Sequence, residues 1–273
     1  MKKDITLVTV ETMYHDLAAR ALTETLNHID VKEVVVFSDR ELIPGSVTVP
    51  VKPIKSFRDY NEIMLKHIWP YIDTEHIIFA QWDAMAYDRT KWTDDFLSYD
   101  YIGAVWPWAP EGQNVGNGGF SLRSRKLLLA AKDARIQLHK GRKFIEEDAV
   151  QCVDHRAILE KEYDIKFAPV NVAQQFSHEI EEGDFKYKPG FAFHGQWNIV
   201  KCCNQEIIDY FVPRMDYHGW NIYKWHHFLH AIVEKEQFDF IPFVIDKLLS
   251  NSPELFDPLV TWLRREQEFW AEI

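Results

Sequence analysis

Four ionisable groups stand where apolar runs stop: Glu11 after residues 5–10, Asp39 after 33–37, Asp83 after 77–80, and His194 within FAFHG. A fifth, Asp148, ends the acidic triplet Glu146-Glu147-Asp148 near an expected helix start. In open α/β sheets ligands sit beyond the carboxyl ends of the strands, so such groups on successive strands outline a site. Asp83 leads the set. A carboxylate there can hold Mg²⁺ or Mn²⁺ against a diphosphate, because hard cations take oxygen ligands. It can equally cap the next turn. The triplet crowds three carboxylates, which raise one another's proton affinity unless a cation intervenes. It reads as a general base, or as ordinary first-turn acids facing the positive end of a helix dipole. A lone histidine such as His194 is more often structural than a ligand.

Two further stretches have the composition of a binding site. GNGGFSLRS follows Val115 and places glycines at 116, 118 and 119. No Gly-Lys-Ser/Thr follows, so it is neither a phosphate-cradling Walker loop nor a dinucleotide fingerprint. Its glycines let a backbone approach a ligand closely, or permit positive φ in a tight hairpin. Trp106 and Trp108 flank Pro107 and suit either sugar stacking or a packed loop.

The elements that must position these groups follow from the apolar pattern. Strands are expected at 5–10, 33–37, 47–51 and 77–80, with helices at 17–26 and 59–71. That order predicts an α/β fold, a mixed and mostly parallel sheet flanked by helices. Residues 101–105 read as a strand, 116–119 as a tight turn, 120–122 as a strand and 124–134 as a helix. Residues 144–163 read as one helix, and 165–179 and 191–197 as strand and loop pieces. From Asp209 the pattern is helical to the end, with Trp225, Phe228, Leu229 and Ile232 among its apolar residues. The domain expectation is therefore 1–210 for an α/β domain and 211–273 for a helical appendage.

Composition excludes some classes. The chain of 273 residues is 47% hydrophobic, enough for one large domain with an appendage. Its net charge of -11 gives no overall field for a phosphate backbone, so nucleic acid is not an expected partner. Three cysteines without zinc spacing read as reduced thiols of a cytoplasmic protein. No apolar run reaches ~18 residues.

QWDAMAYD, YDYIGAVWPW, VGNGGFSLRSRKLL, EEDAVQC, IKFAPVNVAQQFSHE and FAFHG together resemble, in order and spacing, an uncharacterised family of glycosyltransferase-like proteins known as a domain of unknown function. The resemblance spans residues 5–195 and implies a GT-A-like fold, in which the 1–210 domain would be catalytic, with a nucleotide-binding half to about 105 and an acceptor-binding half from about 106. In such folds the strand at 77–80 ends in Asp-x-Asp, which binds a metal and the nucleotide sugar. Here the triplet is Gln81-Trp82-Asp83, with Gln in place of the first Asp. The resemblance further implies Mn²⁺ or Mg²⁺ on Asp83 and His194. It implies a nucleoside held by Thr9, Val10, Glu11, Ser38 and Asp39, with Gly118 and Gly119 beside the donor. Of the acidic pair Glu147 and Asp148, it favours Asp148 as the base of an inverting transfer. The implied partners are a nucleotide-sugar donor, UDP-linked by preference, and a glycan or lipid-linked glycan acceptor. The helical tail is an expected surface for a homo-oligomer, and the protein is expected in the cytoplasm or at the inner membrane face.

Three other readings stay open. A nucleotidyltransferase would share the fold and the metal, but VTVETMYHD carries no Lys or Arg for a triphosphate. A non-catalytic sugar-nucleotide or glycan-binding module would tolerate Gln81. An inverting glycoside hydrolase could use Asp83 and Asp148.

Overall fold

Six strands form the central sheet of the computed structural model, which describes residues 2–138, 146–182 and 185–271. They are β1 (Lys3–Val10), β2 (Val31–Ser38), β3 (Val47–Pro50), β4 (His76–Ala80), β6 (Tyr101–Ile102) and β7 (Phe120–Ser124), in the order β3-β2-β1-β4-β7-β6. β3, β2, β1 and β4 run parallel; β7 is antiparallel to both β4 and β6. Three short strands, β5 (Ala84–Ala86), β8 (Ser177–His178) and β9 (Ala192–His194), make a second sheet in the order β5-β9-β8. The expected mixed, mostly parallel sheet flanked by helices is the one observed.

A sheet covered on both faces needs strands that are apolar on both faces. β1 shows why the sequence satisfies this. Ile5 and Leu7 pack with Leu22, Ile78 and Leu122 on one face, and Val8 and Val10 pack with Phe37, Met64, Ile68 and Phe79 on the other. Helix α1 (His15–His28) covers the first face by burying Leu17, Ala18, Ala21, Leu22 and Thr25, one stripe of its surface. Helix α2 (Phe57–Glu62), continued by a wider turn at Ile63–His67, supplies the second face.

Several elements differ from the expected ones. The strand at 101–105 stops at Ile102, because Gly103 lies against the Asn117 carbonyl, where a Cβ would approach to 1.9 Å. The helix expected over 144–163 is broken: a turn at Glu147–Ala149 widens at Val150–Asp154, and Arg156–Tyr163 forms a separate helix. Residues 144 and 145 of that expectation lie outside the described residues. Val170–Phe176, within the stretch read as strand and loop pieces, is a helix. Pro169 precedes it with φ −74, and the residues it buries, Ala173 and Phe176, are three apart.

The chain divides into two compact units, Met1–Gly195 and Gln196–Ile273. Residues 196–210, counted with the first domain in the sequence reading, fall in the second unit, where Gln196–Cys202 and Gln205–Phe211 form helices. That unit has its own core, in which Tyr217 stacks on Trp225 at 5.5 Å and meets Trp220, Phe228 and Phe243 edge-on or tilted. Ser252 ties it together, accepting from Trp225 Nε1 and donating to the Trp220 carbonyl. The side chain of Leu263, another apolar residue of the tail, lies outside the described residues. Among the described residues no helix is long and apolar enough to cross a membrane.

Candidate functional site

Strand pairing brings distant residues together. β4 pairs with β7 so that Ala80 faces Phe120, and the next residue, Gln81, donates its N–H to the Gly119 carbonyl at 2.9 Å. β5 pairs with β9 so that Ala84 faces His194, which sets His194 beside Asp83. His194 Nε2 lies 3.6 Å from Asp83 Oδ1 and 3.0 Å from Gln81 Oε1. Its other nitrogen lies 3.0 Å from Glu179 Oε1. Burial alone would lower the proton affinity of His194, but the Asp83 and Glu179 carboxylates raise its pKa to about 9.

A hydrogen-bonded chain runs through these groups. Gln81 Nε2 donates to the Tyr60 hydroxyl at 2.7 Å, while its Oε1 faces His194. Glu179 accepts from Asn117 Nδ2 at 2.6 Å, and Asn117 Oδ1 accepts from the Gly119 N–H. The glycines of GNGGFSLRS have no positive φ. They are required by close approach instead. A Cβ on Gly119 would meet the His194 ring at 2.3 Å, one on Gly116 would meet the Trp106 ring at 2.2 Å, and one on Gly118 would meet Glu147 Oε1 at 2.8 Å.

The two acidic neighbours are placed differently. Glu147 is buried and gripped in a fork by Arg123, with Nη1 and Nη2 donating at 2.7 and 2.8 Å. Gln151 Nε2 donates to the same carboxylate at 3.0 Å. Arg123 is itself fully buried; burial disfavours its charge, but the Glu147 carboxylate holds it well above its ordinary pKa. Asp148 is only half-buried. Its Oδ2 accepts from the Gly118 N–H at 2.7 Å and its Oδ1 from the Ala149 N–H at 2.7 Å. Burial, and then the neighbouring Glu147 charge, push its pKa up to about 8 against the opposing effect of these donors and of Arg123.

Two clefts open at the carboxyl ends of β1 and β4. One, of about 350 Å³, is lined by Val10, Glu11, Tyr14, Lys55, Phe57, Tyr60, Gln81 and Trp82, among others. Tyr14 and Trp82 touch with ring centres 4.9 Å apart, and Phe57 stacks over Tyr60 at 6.1 Å. The other, of about 390 Å³, is lined by Trp106, Trp108, Gly118, Gly119, Glu147, Asp148, Glu179 and His194. Trp106 and Trp108 stack at 5.1 Å, and Trp108 is 63% exposed. Phe57, Tyr60 and Gln81 line both clefts.

The expected nucleoside residues are thus divided. Val10, Glu11, Gln81 and Trp82 line the first cleft. Thr9 is buried and donates to the Ala80 carbonyl, tying β1 to β4. Ser38 is buried, and Asp39 pairs with His15 Nε2 at 2.6 Å; neither is among the residues lining the two clefts. Even Glu11 spends one oxygen on its own loop, accepting from the Met13 and Tyr14 N–H groups. Tyr14, Tyr60, Asn117, Arg123 and Glu179 were not singled out from sequence. Arg123 and Glu179 carried a signal, since each stands inside a motif already quoted, GNGGFSLRS and QQFSHE.

Among the described residues no group of three His, Cys, Asp or Glu side chains is arranged to hold a metal by itself. Gln81 Oε1, Asp83 and His194 Nε2 nevertheless converge, with Glu179 behind the histidine as a carboxylate stands behind many metal-bound imidazoles. One carboxylate, one amide oxygen and one imidazole are donor types that suit a hard divalent cation able to take further oxygen ligands.

The model of a family described as Protein of unknown function (DUF5672) matches residues 46–194. Among solved structures, a glycosyltransferase involved in the glycosylation of the major capsid of PBCV-1 is similar with a TM-score of 0.47, 11% identity, and coverage of 70% of this chain and 91% of its own. The galactosyltransferase LgtC, in complex with donor and acceptor sugar analogs, is similar with a TM-score of 0.45, 12% identity, and coverage of 69% and 86%. Comparison with curated proteins finds no match.

Proposed function

The chain belongs to the DUF5672 family, proteins of unknown function, and we propose that it moves a sugar from a nucleoside-diphosphate sugar, UDP-linked by preference, to a hydroxyl of a glycan or lipid-linked glycan, with inversion. The observation that carries this reading is the pair of clefts sharing one wall. The aromatic walls of the first suit a nucleobase and ribose. The second combines a tryptophan platform with a carboxylate of pKa about 8 that reaches the cleft. The shared wall, at Gln81, is where a diphosphate joining base to sugar would pass.

In this mechanism Asp148 takes the proton of the acceptor hydroxyl. The acceptor oxygen forms its bond to the anomeric carbon as the bond from that carbon to the diphosphate oxygen breaks, and the electron pair leaves with the diphosphate. One displacement inverts the centre. Gly118 N–H aims the Asp148 carboxylate, and Glu147, committed to Arg123, is an anchor rather than the base. Asp83, Gln81 and His194 hold the diphosphate end. A Mn²⁺ or Mg²⁺ on them would supply positive charge to the leaving group.

Calorimetry with UDP, GDP and dTDP and their sugars, each with and without Mn²⁺, tests the reading. Binding of at least one at micromolar concentration, weakened about tenfold in a Trp82→Ala variant, is expected. Failure of every nucleotide to bind would remove the donor half of the proposal.

A further inference from the structure

A buried ion pair is a costly thing to place directly under an active cleft, since both charges lose their water. Arg123 and Glu147 are such a pair, with side chains 0% and 5% exposed. One line of contacts from the pair leads to Asp148. Arg123 Nε donates to Ser121 Oγ, whose hydroxyl donates to the Gly118 carbonyl. Gly118 in turn gives its N–H to Asp148. The Glu147 N–H is held by Asn61 Oδ1 at 2.8 Å, and Asn61 Nδ2 is tied to the Phe57 carbonyl. The guanidinium lies near the Phe79 and Tyr101 rings, at 5.7 and 5.3 Å from their centres. The residue before Asp148, through its side chain, and the glycine whose N–H Asp148 accepts, through Ser121, are therefore both tied to one guanidinium–carboxylate fork.

We infer that Arg123 and Glu147 are positioning residues for Asp148: the fork holds its carboxylate against the Gly118 N–H and sets the balance of charge that decides when it gains or loses a proton. The inference rests on Asp148 being the acid–base group of the proposed reaction. Its titratable neighbours come from several elements. Glu147 is on its own turn, Arg123 on β7, Tyr101 on β6 and Cys152 on the following turn, and His194 on β9 acts across the cleft. Glu147 and Arg123 contribute with opposite sign, the carboxylate favouring the protonated form of Asp148 and the guanidinium the charged form.

Opposite signs give a test that a merely structural role would not meet. In the full chain, the Asp148 carboxyl carbon is followed by ¹³C NMR against pH, its signal assigned by its loss in Asp148→Asn. Glu147→Gln keeps the shape and leaves Arg123 uncompensated, so the Asp148 midpoint falls by about one pH unit or more. Arg123→Gln leaves Glu147 uncompensated, so the midpoint rises or stays high. Should Arg123→Gln fail to fold, Glu147→Gln decides alone. A midpoint unmoved in Glu147→Gln, or moved upward, overturns the inference. This readout needs no sugar. If the midpoints move as expected and no donor supports transfer, the glycosyl-transfer reading fails while the positioning pair stands.

Discussion

The cleft bounded by Tyr14 and Trp82 and the cleft bounded by Trp108 and Asp148 share Phe57, Tyr60 and Gln81, yet they are built in different ways. The first is walled by rings in contact, which suits a flat ligand held by stacking. The second is organised by directional bonds: Asn117 to Glu179, His194 to Gln81, Gly118 to Asp148, Arg123 to Glu147. Stacking tolerates small shifts, whereas a proton transfer needs its acceptor within hydrogen-bond reach. The proposed function gives recognition to the first cleft and chemistry to the second, and substitutions that separate affinity from turnover sharpen or break that division.

The largest effect is expected at Asp148. Asp148→Asn keeps size and hydrogen bonding but cannot take a proton. Turnover should drop by roughly 10²- to 10⁴-fold while calorimetric donor affinity stays within about twofold. Normal transfer by Asp148→Asn together with an inactive Glu147→Gln would show that the wrong carboxylate had been chosen. Equal loss of donor affinity would break the division between clefts.

The pH dependence comes next. With a pKa of about 8, Asp148 is mostly protonated at pH 6, so transfer should rise roughly 50-fold between pH 6 and pH 8 if it is the base. Stability should move the other way. The folded state holds a proton on Asp148 that the unfolded chain, with the ordinary value of 3.8, has released, so this group's contribution to stability falls as pH rises from about 4 to about 8. Urea midpoints at pH 5 and pH 8, compared with those of Asp148→Asn, isolate the contribution. A variant showing the same slope as the parent chain would remove Asp148 as its source.

At the first cleft, Trp82→Ala should weaken nucleotide binding by about 1–2 kcal/mol, the range of one aromatic stacking contact, or roughly tenfold in Kd. The pH profile of turnover at saturating donor should keep its midpoint, because Trp82 is not among the groups that act on Asp148. A shifted midpoint would mean that the two clefts are not separate in function.

The chemical cleft was more legible in sequence than the recognition cleft, for a physical reason. Asp148, Glu147, Gly118, Gly119 and His194 all line the second cleft, and each belongs to a short motif whose residue types are unusual together. Nucleoside contacts have no such signature. Thr9, Ser38 and Asp39 were expected there from the family resemblance, but one strand end can turn its hydroxyl into the sheet, as Thr9 does, and another can bind a neighbouring helix, as Asp39 does through His15. The rings that line the first cleft, Tyr14 and Tyr60, are of a kind that also fills cores, and only the fold tells the two uses apart. The sheet itself was readable because runs such as Ile77-Ile78-Phe79 are apolar on both faces. The helix at Val170–Phe176 was not, because two valines in a seven-residue segment favour a strand locally while burial of Ala173 and Phe176 decides for a helix.

The smallest effect is expected at Trp108. Its ring stacks on Trp106, which itself lies over Gly116, so the pair offers one exposed aromatic face fixed from behind. A pyranose ring resting on that face would gain the modest energy of a solvent-exposed contact, about 0.5–1.5 kcal/mol. Trp108→Ala should therefore raise the acceptor KM by about threefold, leave donor Kd unchanged and leave turnover at saturating acceptor within about twofold. Trp106 is the harsher control. It is 6% exposed, so its removal opens a hole beneath the platform and should lower the melting temperature as well as acceptor affinity. If Trp108→Ala raised the donor Kd and left the acceptor KM alone, the tryptophan pair would belong to the nucleotide, and the assignment of the second cleft to the acceptor would have to be reversed.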